Sequence, residues 1–475
     1  MHRRLLALAG ALAAALALAA PAAAVPSVAG SPGSGDPFFP FAGNGGYDVR
    51  DYSLELDYDQ PQNFLAGHAV IRARTTEKLH RFNLDLRDFY AVSSVEVNGR
   101  PATFTHEGQE LSISPRKELK RGEGFRVAVA YAGEPEEIID PDGSSEGWIP
   151  TDDGAFVVNE PVGSPGWYPV NDTPRDKARY DITVTVPAGQ TVMANGELIS
   201  QRTSGGKTTW RWRERDPMAP YLATATNGPF LTEFYEANGL PMYDAVDPDT
   251  RTSRTAPPNP ALAFERLDAQ PEIIEFFSEL YGRYPFTTGG GIIDWAPDVG
   301  YALESQTRAN YHRIPGPSTV VHEIAHQWFG NAVTLAYWPD IWLNEGFATW
   351  SEWIYDERHG GDPAQAVYED LCDTPEDSPA GQDLWFPAPA ALNGPEELFH
   401  TPVYDRGAMT LQALRTEVGD ETFFRILRSW YADNRYGNVT TADFIALAER
   451  RSRRQLDALF HEWLYEEGRP AACDS

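Results

Sequence analysis

Ser318-Thr-Val-Val-His322-Glu323-Ile-Ala-His326-Gln-Trp-Phe329 is the stretch on which the reading of this chain turns. Val320, Val321, Ile324, Ala325, Trp328 and Phe329 recur at spacings that bury the side of a helix. Ser318 is placed to cap that helix, and Gly330-Asn331 to stop it. Residues four apart share a helical face, so His322 and His326 can turn both imidazoles onto one metal ion. Glu323 projects about 100° further round, beside the ion, where it can take a proton from a water held there.

A third ligand follows in Trp342-Leu-Asn-Glu345-Gly-Phe-Ala348, with eighteen residues separating Glu345 from His326. This segment belongs to a second helical pattern, Asp340 to His359, with Asp340 placed as N-cap and Gly360-Gly361 as terminator. Two imidazoles and one carboxylate, with a position left for water, make an open catalytic zinc site. The alternative of a third histidine six positions past His326 is excluded, because that residue is Ala332. Glu352, seven residues after Glu345 and on nearly the same face, can hold the outer nitrogen of a ligand histidine.

Upstream the texture is different. Tyr52 to Tyr58, Ala69 to Arg74, Phe125 to Tyr131, Tyr180 to Val186 and Thr209 to Trp212 alternate in polarity, and Asn98-Gly99 is a tight-turn signal. Residues 47–230 are therefore expected to form an all-β domain, a sandwich or curved saddle. Pro257, Pro258 and Pro260 punctuate the change to helical patterns, and residues 231–475 are expected to form the α+β domain that carries the metal motif.

Arg3 and Arg4, the apolar run Leu5 to Ala24 and its small-residue end describe a secretory signal peptide over 1–24. This predicts an extracellular protein with no stable membrane anchor after cleavage. Val25 to Gly46, rich in Gly, Pro and Ser, reads as a flexible leader. The net charge of −30 repels phosphate backbones and argues against nucleic acid as partner. Cys372 and Cys473 are too few for a thiolate zinc site; whether they pair is open at this level.

The pair HEIAHQWFG (His322 to Gly330) and WLNEGFA (Trp342 to Ala348) resembles the aminopeptidase N family of zinc peptidases, the group that includes leukotriene hydrolase. Looser matches fall in the family's order: Asn159-Glu160-Pro161 with Pro165 to Pro169 and Asp172-Thr-Pro174, Ala302-Leu-Glu304-Ser305, and Tyr404-Asp-Arg-Gly-Ala408. Ser305 stands where the family has an asparagine that contacts substrate backbone. The resemblance implies a β-sandwich or saddle domain followed by a thermolysin-like α+β domain, without the family's large C-terminal helical domain. It implies one Zn2+ on His322, His326 and Glu345, with Glu323 as general base and Tyr404 steadying the oxyanion. Glu304 and Glu160 would hold the α-amine of a peptide with a free N-terminus. Two other readings are a thermolysin-like endopeptidase, indifferent to that amine, and an inactive scaffold on the same fold.

Overall fold

The structure is a computed structural model that describes residues 27–474; the stretch 1–24, expected above to be a signal peptide, lies outside the described residues. Tyr47–Asp59 shows how the β half is built. Tyr47 and Val49 face the core, then Tyr52, Leu54, Leu56 and Tyr58 do, and the extra residue between the two sets is taken up by a register shift at Val49/Asp51. Such a bulge keeps both sets on one face despite the odd spacing. The strand lies parallel to Ala178–Pro187 and antiparallel to Phe64–Thr75 at the centre of an eight-stranded sheet.

Two smaller sheets share its core. One contains Leu79–Asp85, where Phe82 meets Tyr47 and Phe125 edge to face. The other contains Ser145–Pro150, Ala155–Val158 and Ala225–Gly228, where Trp148 meets Tyr58. Leu231–Ala237 and Leu240–Val246 belong to a different sheet, with Gly291–Ile293, Ala309–Tyr311 and the short edge Ala302–Leu303. Helices follow that sheet: Pro317–Ala325, Trp342–Arg358 and Thr401–Val418 surround the motif, and Asp420–Asn434, Thr441–Ser452 and Asp457–Leu464 close the chain's helical part. Among the described residues no helix is long and apolar enough to cross a membrane.

Hydrogen bonds lock the halves together. The half-buried Lys177 donates from its ammonium to Asn331 O and Ala332 O at 3.0 and 3.1 Å. The Tyr221 hydroxyl donates to Gly330 O at 3.1 Å. The fully buried Arg308 reaches the carbonyl of Gly196. Cys372 and Cys473 form a disulfide that ties the C-terminal end to the helix Ala364–Cys372.

Three expectations are corrected. The described part of the flexible leader, residues 27–46, is laid down as a strap across both halves. Val28–Ala29 pairs with Leu79–Asp85, and the buried Asp36 accepts from Phe38 N, Phe39 N and, far along the chain, Trp338 N at 2.9 Å. Composition suggested mobility, but one buried carboxylate and the Phe39 ring against Trp338 secure the segment. The motif helix is capped by Gly316, not Ser318, and is shorter than expected, with His326 at its C-cap. Asp340 does not cap the helix that follows it; Oδ1 accepts from Thr441 N (3.1 Å) and Oγ1 (2.6 Å), at the start of another helix.

Candidate metal centre and substrate cleft

His322 and His326 leave the end of the motif helix with their outer nitrogens already engaged. His322 Nδ1 lies 2.7 Å from Glu352 Oε1, and His326 Nδ1 lies 3.0 Å from Phe329 O. Both partners are acceptors, so each Nδ1 carries the proton and each Nε2 is left as a lone-pair donor. Those Nε2 atoms lie 3.2 and 3.4 Å from one oxygen, Glu345 Oε2. Were the two imidazoles protonated in place of a bound ion, their charge would hold Glu345 down to about 2 against burial. Two imidazole nitrogens and a carboxylate oxygen, all within 4.8 Å of one another, fit a zinc ion.

Glu345 reaches this point because two helices touch backbone to backbone. A Cβ on Gly346 would stand 2.8 Å from Gly407 Cα, so glycine at both positions lets Trp342–Arg358 and Thr401–Val418 close up. The same contact brings Tyr404 in, its ring stacked at 6.1 Å from that of His322. Arg406, two residues on, is fully buried and donates to the carbonyls of Trp385, Glu462, Trp463 and Glu466, which locks the tyrosine helix onto the helix Asp457–Leu464.

The metal group opens into a cleft of about 450 Å³ lined by all eight sequence-derived candidates: Glu160, Glu304, His322, Glu323, His326, Glu345, Glu352 and Tyr404. Glu304 is 2 % and Glu160 5 % exposed, yet Oε1 of each has no hydrogen-bond partner. Single oxygens of Glu160, Glu304 and Glu345 lie within 4.8 Å of one another. Burial and then, for Glu160, the charge of Glu304 raise its carboxyl well above the usual range; burial raises Glu304 as well. Burial likewise lifts Glu323 to about 8, with the neighbouring imidazoles pulling the other way.

The residues that place these acids were not singled out in the sequence. Gln327 Nε2 and Asn331 Nδ2 both donate to Glu304 O, at 3.1 and 2.7 Å. They lie in the same HQWFGN run as His326, so the signal was adjacency to the motif. Asn159 fixes the Glu160 turn from the other domain: its Oδ1 accepts from Trp167 Nε1 at 2.8 Å, and its amide donates to Ala223 O. Asp142, Tyr301 and Phe399 also line the cleft. Ser305, in place of the family's asparagine, is fully buried, its hydroxyl accepting from Asn310 Nδ2 at 2.8 Å.

Residues 49–222 match the Peptidase M1 N-terminal domain, and residues 301–463 match the Peptidase family M1 domain. Among solved structures, an M1 zinc metallopeptidase from Deinococcus radiodurans superposes with a TM-score of 0.81 at 28% identity, covering 92% of this chain and 97% of that one. A mutant of the Deinococcus radiodurans enzyme bound to a Tyr-Ser-Ala substrate gives 0.81 at 29% identity, covering 92% and 98%. Probable aminopeptidase 2 of Sulfurisphaera tokodaii is 25% identical over 458 residues, 89% of this chain and 54% of its own length. Aminopeptidase M1-D of Oryza sativa subsp. japonica is 25% identical over 468 residues, 89% and 50%. The chain thus spans about half the length of the curated relatives it matches, and nearly the whole of the two-domain structures. Both halves match domains of one family, in that family's order and on its two-domain fold, and the chain belongs to peptidase family M1, the aminopeptidase N family of zinc metallopeptidases.

Proposed function

We propose that this chain is a zinc aminopeptidase that removes N-terminal residues from peptides and acts outside the cell. The observation that carries the reading is the pair Glu160 and Glu304, buried, short of partners and converging beside Glu345 in the cleft. A free α-ammonium supplies the donors and the charge that such a pair lacks, whereas an acylated N-terminus supplies a single N–H and no charge. The apolar segment at 1–24 supports export.

His322, His326 and Glu345 would hold one zinc ion, which when bound acidifies water and polarises a carbonyl. Glu352 and Phe329 O keep the two imidazoles in the tautomer that binds metal. Glu323 accepts the proton of the attacking water and passes it to the departing amine nitrogen. Tyr404, stacked beside His322, donates a hydrogen bond from its hydroxyl to the oxygen that becomes negative as the carbonyl is attacked. Glu160 and Glu304 anchor the ammonium so that the first peptide bond, and no later one, lies against this machinery. The relative holding Tyr-Ser-Ala, a short peptide, supports the same use of the cleft.

The test is hydrolysis of matched free and N-acetylated peptides by the full chain, with and without a zinc chelator. Chelator-sensitive cleavage of the free peptide alone is expected. Equal cleavage of both would turn the reading to a zinc endopeptidase, and cleavage of neither to a scaffold.

A further inference from the structure

A second convergence of carboxylates lies away from the cleft, on the seam between the domains. Asp153 sits in the turn joining Ser145–Pro150 to Ala155–Val158 in the β half. Asp247 directly follows Leu240–Val246, and Asp294 directly follows Gly291–Ile293; these two strands pair in parallel, Ala245 with Ile292 and Val246 with Ile293. Parallel pairing in this register delivers both side chains at the same end of the sheet. One oxygen from each of the three aspartates lies within 4.8 Å of the other two.

The cluster is buried and poorly compensated. Asp247 is 3 % and Asp294 1 % exposed, and Asp153 is partly covered. Asp247 accepts from Asp249 N (2.6 Å) and Trp295 N (3.3 Å), and Asp294 Oδ1 from Trp295 N (2.7 Å). Asp153 Oδ1 accepts from Thr151 Oγ1 at 3.3 Å. Asp294 Oδ2 has no donor, and burial and the facing Asp247 carboxylate raise the Asp294 carboxyl well above the usual range. Among the described residues no lysine, arginine or histidine pairs with any of the three. Three like charges so close and so little solvated repel strongly unless something positive sits among them. One shared proton would relieve one pair and leave the third aspartate facing it.

The donors are all hard oxygens, with no imidazole or thiolate, which selects against zinc. Calcium accepts several carboxylates in irregular geometry and completes its shell with water and carbonyls, whereas magnesium keeps its own waters in a tight octahedron. We propose that Asp153, Asp247 and Asp294 bind a calcium ion that fastens the β half to the catalytic sheet. Its neighbourhood suits a clamp. A small apolar cluster joins Ile149, Phe156 and Val158 of one half to Ala296, Val299 and Leu303 of the other. The loop that starts at Asp294 runs through that cluster to Tyr301 and Glu304 in the cleft wall. The ion would hold the fixed end of this loop.

The experiment uses the full chain, stripped of metal and reloaded with one equivalent of zinc, then titrated with calcium chloride. A saturable Tm rise of about 3 °C is expected at a hundredfold excess over Kd. Terbium added instead should luminesce on tryptophan excitation, through the adjacent Trp295, and calcium should quench the signal by displacement. Asp153→Asn, in a partly exposed turn that tolerates change, and Asp294→Asn should each abolish both responses. Responses that persist in both variants would overturn the site, and an equal Tm rise with magnesium chloride would overturn its assignment to calcium. No response in the wild type, with Asp294→Asn raising Tm in metal-free buffer, would show a proton-sharing acid cluster and sink the proposal.

Discussion

Two buried aspartates in the body of the β half and two buried glutamates in the cleft are held in opposite ways. In the β half, Asp85 accepts from Gly43 N, Asn44 Nδ2 and Asp172 N, so both its oxygens are bonded. Asp176 accepts from Val49 N and Asn171 Nδ2 with both oxygens too. In the cleft, Glu160 and Glu304 are buried as deeply, but Oε1 of each is left without a donor. A bonded acid stitches chain segments together; a converging set of unbonded acids waits for a cation. Glu110 adds a limit: neither oxygen has a partner, yet among the described residues it joins no cluster that could hold a metal, and it does not line this cleft. Convergence, rather than lack of a donor alone, is what separates the proposed cation-holding acids from Glu110.

The comparison can be broken at several points. The largest effect is expected from Glu323→Gln, which keeps shape and loses the proton acceptor. Turnover should fall by about 10³-fold, ~4 kcal/mol, with zinc content by elemental analysis unchanged. Near-normal turnover would remove Glu323 from the chemistry. Asp85→Ala should act on the fold instead. It orphans three donors and should cost about 3 kcal/mol of stability, read from denaturation midpoints, with activity per folded molecule intact.

Glu304→Gln should do the reverse of Asp85→Ala. Relieving an uncompensated buried charge should leave the fold at least as stable, while kcat/KM for free-amine peptides drops about 10²-fold, ~2.7 kcal/mol. A loss of stability in that variant would move Glu304 into the stitching class. Glu352→Gln removes the charge behind His322 Nδ1, and zinc affinity measured by chelator competition should weaken about tenfold, ~1.4 kcal/mol. The smallest effect concerns Glu110, which burial lifts from 4.5 to about 7. Its folded value lies above the unfolded one, so its stabilising contribution is full below pH 4.5 and is lost as pH rises through 7. Because the group is partly exposed, the loss should be about 1 kcal/mol, and Glu110→Gln should flatten it in a pH series of Tm.

Much of the site was legible where local spacing decides geometry. His322 and His326 share a helical face whatever the rest of the chain does, and Glu352 follows Glu345 by two helical turns. Alternating polarity likewise gave the strands of the β half, since period two can bury only one face. Errors came where a local pattern was outvoted by a distant partner. Asp340 looked like the cap of the next helix but binds Thr441, 101 residues on. The Gly, Pro and Ser of residues 27–46 looked mobile, but Asp36 bonds Trp338 N, 302 residues on.

By itself, then, the sequence determined the donor set for the metal, the acid beside it and the order of a β half before an α+β half. Those follow from side-chain chemistry and from repeat distances along a helix or strand. Only the tertiary structure decided that Glu160 faces Glu304 across the two halves, that Gly346 and Gly407 let two helices touch, and that Asp153 meets Asp247 and Asp294 on the seam. The physical reason is range: periodicity acts over a few residues, whereas a buried charge takes whatever partner the packed chain brings within a few ångströms.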